Sequence, residues 1–312
     1  MALLGIDLGG TKLAFAVFSE TGKMLHKETI ALENKKGTEV GNLITSGIIR
    51  LINLGADPVK SIGISVPGIY HAKSGKVWAP NIPDWGDYPL LQEVKKMSGE
   101  ISVTIDSDRA CYILGELWQG NARGCTDAIY LAVGTGIGAG ILTDGKVLRG
   151  SNEIAGAIGW MALTRPFKDE YIHCGCFETY ASGEGMAKRF RKYLEEDNTY
   201  NGELKGLVKI STRDVFSAYE NKDTIALKIV EECIGFWGMA AANLVSLFNP
   251  EKIVFGGGVF GPAINLIPEI KVEATKWAQP ISIKQVSFED SALGADAGVY
   301  GAGFLALKNK NA

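Results

Sequence analysis

The sequence predicts an α/β fold made of two similar halves, and three observations carry that prediction. Apolar stretches of strand length alternate with amphipathic stretches of helical length along the whole chain. Three of the strand-like stretches run directly into glycine-rich turns. The chain has 312 residues, 46% hydrophobic and 21% charged, which is enough for a sizeable core or for two domains.

Each element has its own justification. Residues 3–8 and 12–18 read as two strands bent at Gly9-Gly10, and 22–30 as a third strand after the turn at Glu20-Thr21-Gly22. Residues 38–55 show helical apolar spacing that stops at Gly55. Residues 59–68 form a strand ending at Pro67-Gly68, 89–99 a helix, and 101–106 a buried strand that leads into a helix ending near Gln119. The second half repeats the theme. Residues 128–150 read as strand, glycine turn, strand, Asp-Gly turn, strand, which resembles the opening meander and points to an internal duplication. Helical pattern returns at 179–195, 223–248 and 264–278, with strands at 252–258 and 283–288 and a small-residue helix at 293–307. The expected domains are 1–115, joined by the C-terminal helix at about 293–312, and 116–292.

Composition excludes several classes. A net charge of −3 without any Lys/Arg block gives no electrostatic basis for binding nucleic acid. No apolar run approaches the roughly 18 residues that a membrane span requires. The N-terminus lacks the basic region of a signal peptide. Five cysteines, an odd number in a long chain, do not read as a disulfide framework, so a reducing, cytoplasmic setting is expected.

The chemistry sits in the glycine turns: Gly9-Gly10-Thr11-Lys12, Gly134-Thr135-Gly136-Ile137-Gly138 and Gly256-Gly257-Gly258. Backbone without Cβ atoms can point its N–H groups inward around phosphate oxygens. Thr11 and Thr135 add hydroxyl donors, Lys12 adds a positive charge, and the Asp7 carboxylate could hold Mg²⁺ through its waters. No P-loop spacing is present. The middle turn leads into a strand rather than a helix, which argues against a dinucleotide fingerprint. One such turn alone reads equally well as a tight hairpin; three in this order point to a nucleotide.

The series D-x-G-G-T-K, G-T-G-I-G-x-G and G-G-G-V resembles the three nucleotide-binding segments of the actin/hexokinase superfold. Within it, the chain resembles the ROK family of repressors and sugar kinases over nearly its whole length. The segments at 66–90, around Cys176-Phe177-Glu178 and at 293–307 share the likeness. The resemblance implies a two-lobed actin-like ATPase (ribonuclease H-like) fold with an interlobe cleft for ATP, Mg²⁺ and a sugar or polyol, and often a homodimer. It implies phosphate contacts at Gly9, Gly10, Thr11, Lys12, Gly134, Thr135, Gly136 and Gly138, and adenosine contacts at Gly257 and Gly258. Repressor members carry an N-terminal winged helix, for which Asp7 lies too near the start of this sequence.

In the same likeness, Asp106 falls on the family's general base. Chemistry favours a carboxylate there, because an alkyl hydroxyl attacks phosphorus well only as its proton is taken. Taken alone, Asp106 reads equally as a helix N-cap. Asp108 reads as a first-turn acid, and Arg109 as a partner of Asp106 or Asp108, as pointing into solvent, or as a contact to a polar substrate. Gly68, Asn81 and Glu178 match sugar-contacting positions. Three other grips have become apolar: Ile105, Ala157 and Trp160 stand where the family has Asn, Glu and His. Lost hydrogen-bonding groups change specificity strongly. Glucose itself is therefore not expected, and a ketose, a deoxy or substituted sugar, a glycoside or a cyclitol is. Trp160 would stack on the substrate or fill core, and Glu153 would partly replace the lost glutamate or be solvated. The family's structural Zn²⁺ is also not expected. Its histidine is Trp160 and two of its cysteine positions hold Asp169 and Tyr171, leaving only His173, Cys174 and Cys176. A second reading of the same losses is a non-catalytic sugar or nucleotide sensor.

Overall fold

A computed structural model of the protein describes residues 1–310 apart from 53, 55, 56 and 208; the expected helix stop at Gly55 and the end of the C-terminal segment, 311–312, lie outside the described residues. Two units divide the chain. One comprises Met1–Gly124, Val147–Ala155 and the chain from Ala295 onward; the other comprises Cys125–Lys146 and Gly156–Gly294. The first unit therefore runs past the end of the helix after Asp106, and it takes in a short segment from the middle of the sequence that no local pattern assigns to it.

The first unit contains β1 (Ala2–Leu8), β2 (Lys12–Ser19), β3 (Met24–Ala31), α1 (Gly37–Leu51), β4 (Val59–Val66), β5 (Ile69–His71), β6 (Lys76–Trp78), α2 (Leu90–Ser98), β7 (Ser102–Ser107) and α3 (Asp108–Gln119). Its five-stranded sheet has the order β3-β2-β1-β4-β7. The first three strands form an antiparallel meander, and β1, β4 and β7 run parallel. Period-two alternation decides which side each residue faces. Leu4, Ile6 and Leu8 join a core with Val40, Ile44 and Ile48 of α1 and Leu90 and Val94 of α2. Leu3 packs on the opposite face with Val299 and Ala306. The β5–β6 hairpin is absent from the sequence reading because its strands are three residues each and show no alternation to read.

The second unit contains β8 (Ala128–Val133), β9 (Ile137–Thr143), β10 (Lys146–Val147, whose last residue belongs to the first unit), α4 (Tyr171–Cys174), α5 (Cys176–Ala181), α6 (Gly183–Glu196), α7 (Thr212–Glu220), α8 (Thr224–Phe248), β11 (Lys252–Gly256), α9 (Ile267–Trp277), α10 (Ser282–Gln285) and β12 (Ser287–Asp290). Its sheet order, β10-β9-β8-β11-β12, repeats that of the first, so the duplication read from the sequence is visible as topology. Helix α8 starts where the Asp223 carboxylate accepts from the Ile225 and Ala226 N–H groups, and it stops at left-handed Asn249. The expected strand at 283–288 is corrected. Its first part is the α10 turn, nucleated by the Gln279 side chain accepting from the Ile281 and Ser282 N–H groups, and only Ser287–Asp290 pairs with β11. Helix α7 lies outside the sequence expectation, although Ser211 and Asp214 form a capping box at its start.

The C-terminal helix α11 (Ala297–Lys310) packs on the first unit's sheet and on α3. Its wealth of small residues has a steric cause. A Cβ on Gly63 of β4 would lie 1.9 Å from the Ala302 carbonyl oxygen, and one on Gly301 would lie 1.8 Å from that of Cys111. Backbone cannot retreat from such a contact as a flexible side chain can. Gly63→Ala is therefore expected to destabilise the protein by about 1–3 kcal/mol in urea denaturation. Gly86→Ala, at an exposed position with nothing within 4 Å of the new Cβ, is expected to leave the midpoint nearly unchanged.

Candidate active site

Strand register brings together candidate site residues of the first unit. Asp7 of β1 is paired with Ser65 of β4, and Ser65 with Asp106 of β7, so the three lie in one row across parallel strands. Asp106 is 8% exposed. It is not the helix cap. Ser107 takes that role, its hydroxyl accepting from the Ala110 N–H at 3.3 Å. The Asp106 Oδ1 accepts from the Ser107 N–H at 2.9 Å. Its Oδ2 accepts from Arg149 Nε at 3.0 Å and also from Arg149 Nη2. Arg149 lies on the Val147–Ala155 segment, which makes two further contacts to the first unit. The Glu153 carboxylate accepts from the Ala72 N–H at 3.2 Å, and Arg109 reaches both the Ile154 and Gly68 carbonyl oxygens at 3.4 Å. Arg109 thus binds backbone rather than pairing with Asp106. Glu153 is held at this docking contact, with φ at +60°.

A second acidic feature adjoins the row. Burial raises the Asp7 carboxyl above its ordinary value, with Lys12 opposing. Burial pushes Asp108 up to about 6; Arg109 opposes the shift and Asp7 adds to it. Asp108 is therefore more than a first-turn acid. Asp7 and Asp108 are oxygen donors of the kind that suits Mg²⁺ held through water. The turn beside Asp7 closes by the Gly9 N–H donating to the Lys12 carbonyl at 2.9 Å, and the Lys12 side chain is exposed. Gly10 and Thr11 share a cavity of about 370 Å³ with Asn81. Ile105 does not face this site; it is buried in the core under α1 and α2.

The second unit brings the other two glycine turns together. Gly134, Thr135 and Gly258 line a cavity of about 790 Å³ with Gly183, Ser211 and Thr212, within the size range of small-molecule pockets. Gly257 has φ +91°, and a Cβ there would meet the Val133 carbonyl oxygen at 2.4 Å, so the turn can pass β8 only as glycine. Gly138 lies in β9 opposite Ala132 and does not line that cavity. Glu178 reaches back to the middle turn. Its Oε2 accepts from the Ile137 N–H at 2.6 Å, and a Cβ on Gly136 would lie 2.7 Å from the same oxygen. Burial raises the Glu178 carboxyl, with that N–H opposing. Trp160, on the short 3₁₀ turn Ile158–Trp160, is 56% exposed, which rules out the core-filling alternative. His173 is exposed, Cys174 Sγ lies 3.4 Å from Thr179 Oγ1, and Cys176 is buried. Among the described residues, no group of three or more His, Cys, Asp or Glu could hold a metal ion. Nor is any described helix long and apolar enough to cross a membrane.

Comparison with known proteins matches residues 3–309 to the model of the ROK family. The chain belongs to the ROK family. It is 32% identical to a protein named glucokinase from Halalkalibacterium halodurans, across 99% of this chain and 96% of that one. It is 26% identical to an N-acetyl-D-glucosamine kinase from Vibrio cholerae, across 97% and 99%. Its structure matches that of a ROK family glucokinase from Streptomyces griseus, solved in complex with glucose and AMPPNP, with a TM-score of 0.81 at 27% identity over 99% and 100% of the two chains. The repeated sheet is thus that of the actin-like ATPase fold.

For this ROK chain, sequence reasoning missed Arg149, Ser65 and the raised Asp108. The contact from Arg149 to Asp106 spans 43 positions, and no local spacing signals it. Asp108 has a consequence for stability. A carboxyl whose folded value is raised from 3.8 to about 6 binds its proton more tightly when folded. It favours folding below about pH 4, and that contribution is lost as the pH rises through 6. In Mg²⁺-free buffer, Asp108→Asn is expected to raise the melting temperature at pH 7.5 and to leave it nearly unchanged at pH 4. An equal shift at both pH values would show that burial of this charge does not oppose folding.

Proposed function

We propose that this ROK family sugar kinase transfers the γ-phosphoryl group of ATP to a hydroxyl of a sugar or sugar-like polyol, with Asp106 as general base. The observation that carries the reading is the row Asp7–Ser65–Asp106, which fixes a buried carboxylate on the same sheet rim as the D-x-G-G-T-K turn. Asp106 takes the proton of the attacking hydroxyl as its oxygen bonds to phosphorus, and ADP departs. Gly10, Thr11, Lys12, Gly134, Thr135 and Gly136 hold phosphate oxygens. Gly257 and Gly258 border the adenosine. Bound Mg²⁺ would neutralise phosphate charge, with Asp7 holding it through water.

Asn81, Gly68 and Glu178 orient the substrate. Ala157 and Trp160 cannot make the hydrogen bonds of a glutamate and a histidine, and the exposed Trp160 face suits stacking on the apolar side of a ring. This supports a substrate that differs from glucose at that end, such as a ketose, a deoxy or substituted sugar, a glycoside or a cyclitol. The five cysteines are free, in keeping with work in a reducing, cytoplasmic setting, and the family likeness supports a homodimer. Kinase-named relatives along the whole chain do not favour a non-catalytic sensor.

ADP release with ATP and Mg²⁺ across hexoses, ketoses, amino sugars, glycosides and cyclitols tests the proposal. Asp106→Ala is expected to lower kcat by about 10²–10⁴-fold with ATP binding retained. Trp160→Ala is expected to raise KM for the preferred sugar more than it lowers kcat. Undiminished turnover by Asp106→Ala would overturn the assignment of the base, and glucose as the best substrate would overturn the specificity reading.

A further inference from the structure

We infer that Arg149 is a positioning residue for the reaction: it holds the Asp106 carboxylate in the plane from which its free lone pair meets the substrate hydroxyl. The inference rests on Asp106 being the base. A carboxylate on a single strand-end residue can rotate about its terminal bond, and a base must present one lone pair in one direction. Asp106 is denied that rotation at both oxygens. The Ser107 N–H holds Oδ1 from the neighbouring backbone, and Arg149 holds Oδ2 through two nitrogens of its planar guanidinium. A carboxylate offers about four lone-pair sites, so these contacts leave room for a hydroxyl while fixing where it must approach. Two donors from one rigid fork set an orientation that a lysine ammonium, a point charge on a flexible stem, would set less well.

The Arg149 side chain is not what docks its own segment. Val147–Ala155 is tied to the first unit by the contact of Glu153 with the Ala72 N–H and of Arg109 with the Ile154 carbonyl. It is also closed on itself by the Ala155 N–H donating to the Arg149 carbonyl at 3.1 Å. These other contacts thus deliver Arg149, and its guanidinium, apart from one bond at 3.3 Å to the Val147 carbonyl, is given over to Asp106. The side chain is 45% exposed, against 11% for Asp106, so the pair is open to solvent on the arginine side. Its truncation removes little packing. The segment comes from the far side of the β8–β9–β10 meander in sequence, which is why the base and its orienting group share no motif.

Steady-state kinetics of Arg149→Ala and Arg149→Lys on the sugar found to turn over test this. Arg149→Ala is expected to lower kcat by about 10- to 100-fold, as a misplaced catalytic group does, with KM for ATP and the melting temperature nearly unchanged. Guanidinium ion added to Arg149→Ala is expected to restore part of kcat, and Arg149→Lys to fall between Ala and the parent. In an Asp106→Ala background, removing Arg149 is expected to cost nothing more. A kcat for Arg149→Ala within twofold of the parent would overturn the inference, as would a loss that guanidinium and lysine both fail to relieve. If Asp106→Ala itself keeps full turnover, the assignment of the base has failed. If Asp106→Ala is inactive and Arg149→Ala is fully active, only the role of Arg149 has failed.

Discussion

The register of three parallel strands is the constraint on which the rest of the first unit depends. With β1, β4 and β7 in line, Asp7, Ser65 and Asp106 share one row. Neighbouring strands lie about 4.8 Å apart, so the two carboxylates are set about 10 Å from each other by hydrogen-bond geometry alone. A slip of one residue in any of the three would turn its functional side chain to the opposite face. The register is held from behind. Glycines at 63 and 301 let α11 lie with its backbone against β4 and α3, a distance that larger residues would forbid.

That arrangement concentrates negative charge in a buried place. Burial makes Asp7 and Asp108 hold their protons more tightly than free carboxyls do, and Asp7 adds to the effect at Asp108. The compensating charges come from three different parts of the chain: Lys12 from the opening turn, Arg109 from α3 and Arg149 from the docked segment. Buried like charges oppose folding, and sites that bind cations and phosphates accept that opposition because the ligand relieves it.

The second unit shows how a site changes while its frame stays. Glu178 is kept, and its hold on the Ile137 N–H ties α5 to the turn between β8 and β9. Around it, the polar grips have given way to Ala157 and to an exposed Trp160. The segment leading into α5 is held by side-chain contacts. The Tyr171 and Tyr180 hydroxyls lie 2.9 Å apart, and Lys168 donates to Tyr180 at 2.7 Å. A hydrogen-bonded tyrosine pair with an amine ties the two segments together.

Most of the frame is legible in the sequence alone. Alternation and helical spacing mark β1, β4, β7 and α8, because those elements bury one face or all faces and the pattern of burial is written in the residues themselves. The glycine turns are legible for a similar reason: close backbone approach admits no other residue, as Gly257 shows. The likeness to the ROK family points to Asp106 and Glu178, since local motifs surround both. What the sequence leaves open is whatever depends on distant partners. The short β5–β6 hairpin and the α10 turn are stabilised by neighbours rather than by their own pattern. The docking of Val147–Ala155, the grip of Arg149 on Asp106 and the exposure of Trp160 are decided by which surfaces the fold brings near those residues. By itself the sequence determined local conformation and the kind of chemistry, because steric and solvation preferences act between near neighbours. Only the tertiary structure decided which charge meets which, because a contact across 43 positions leaves no mark on either residue's surroundings in the chain.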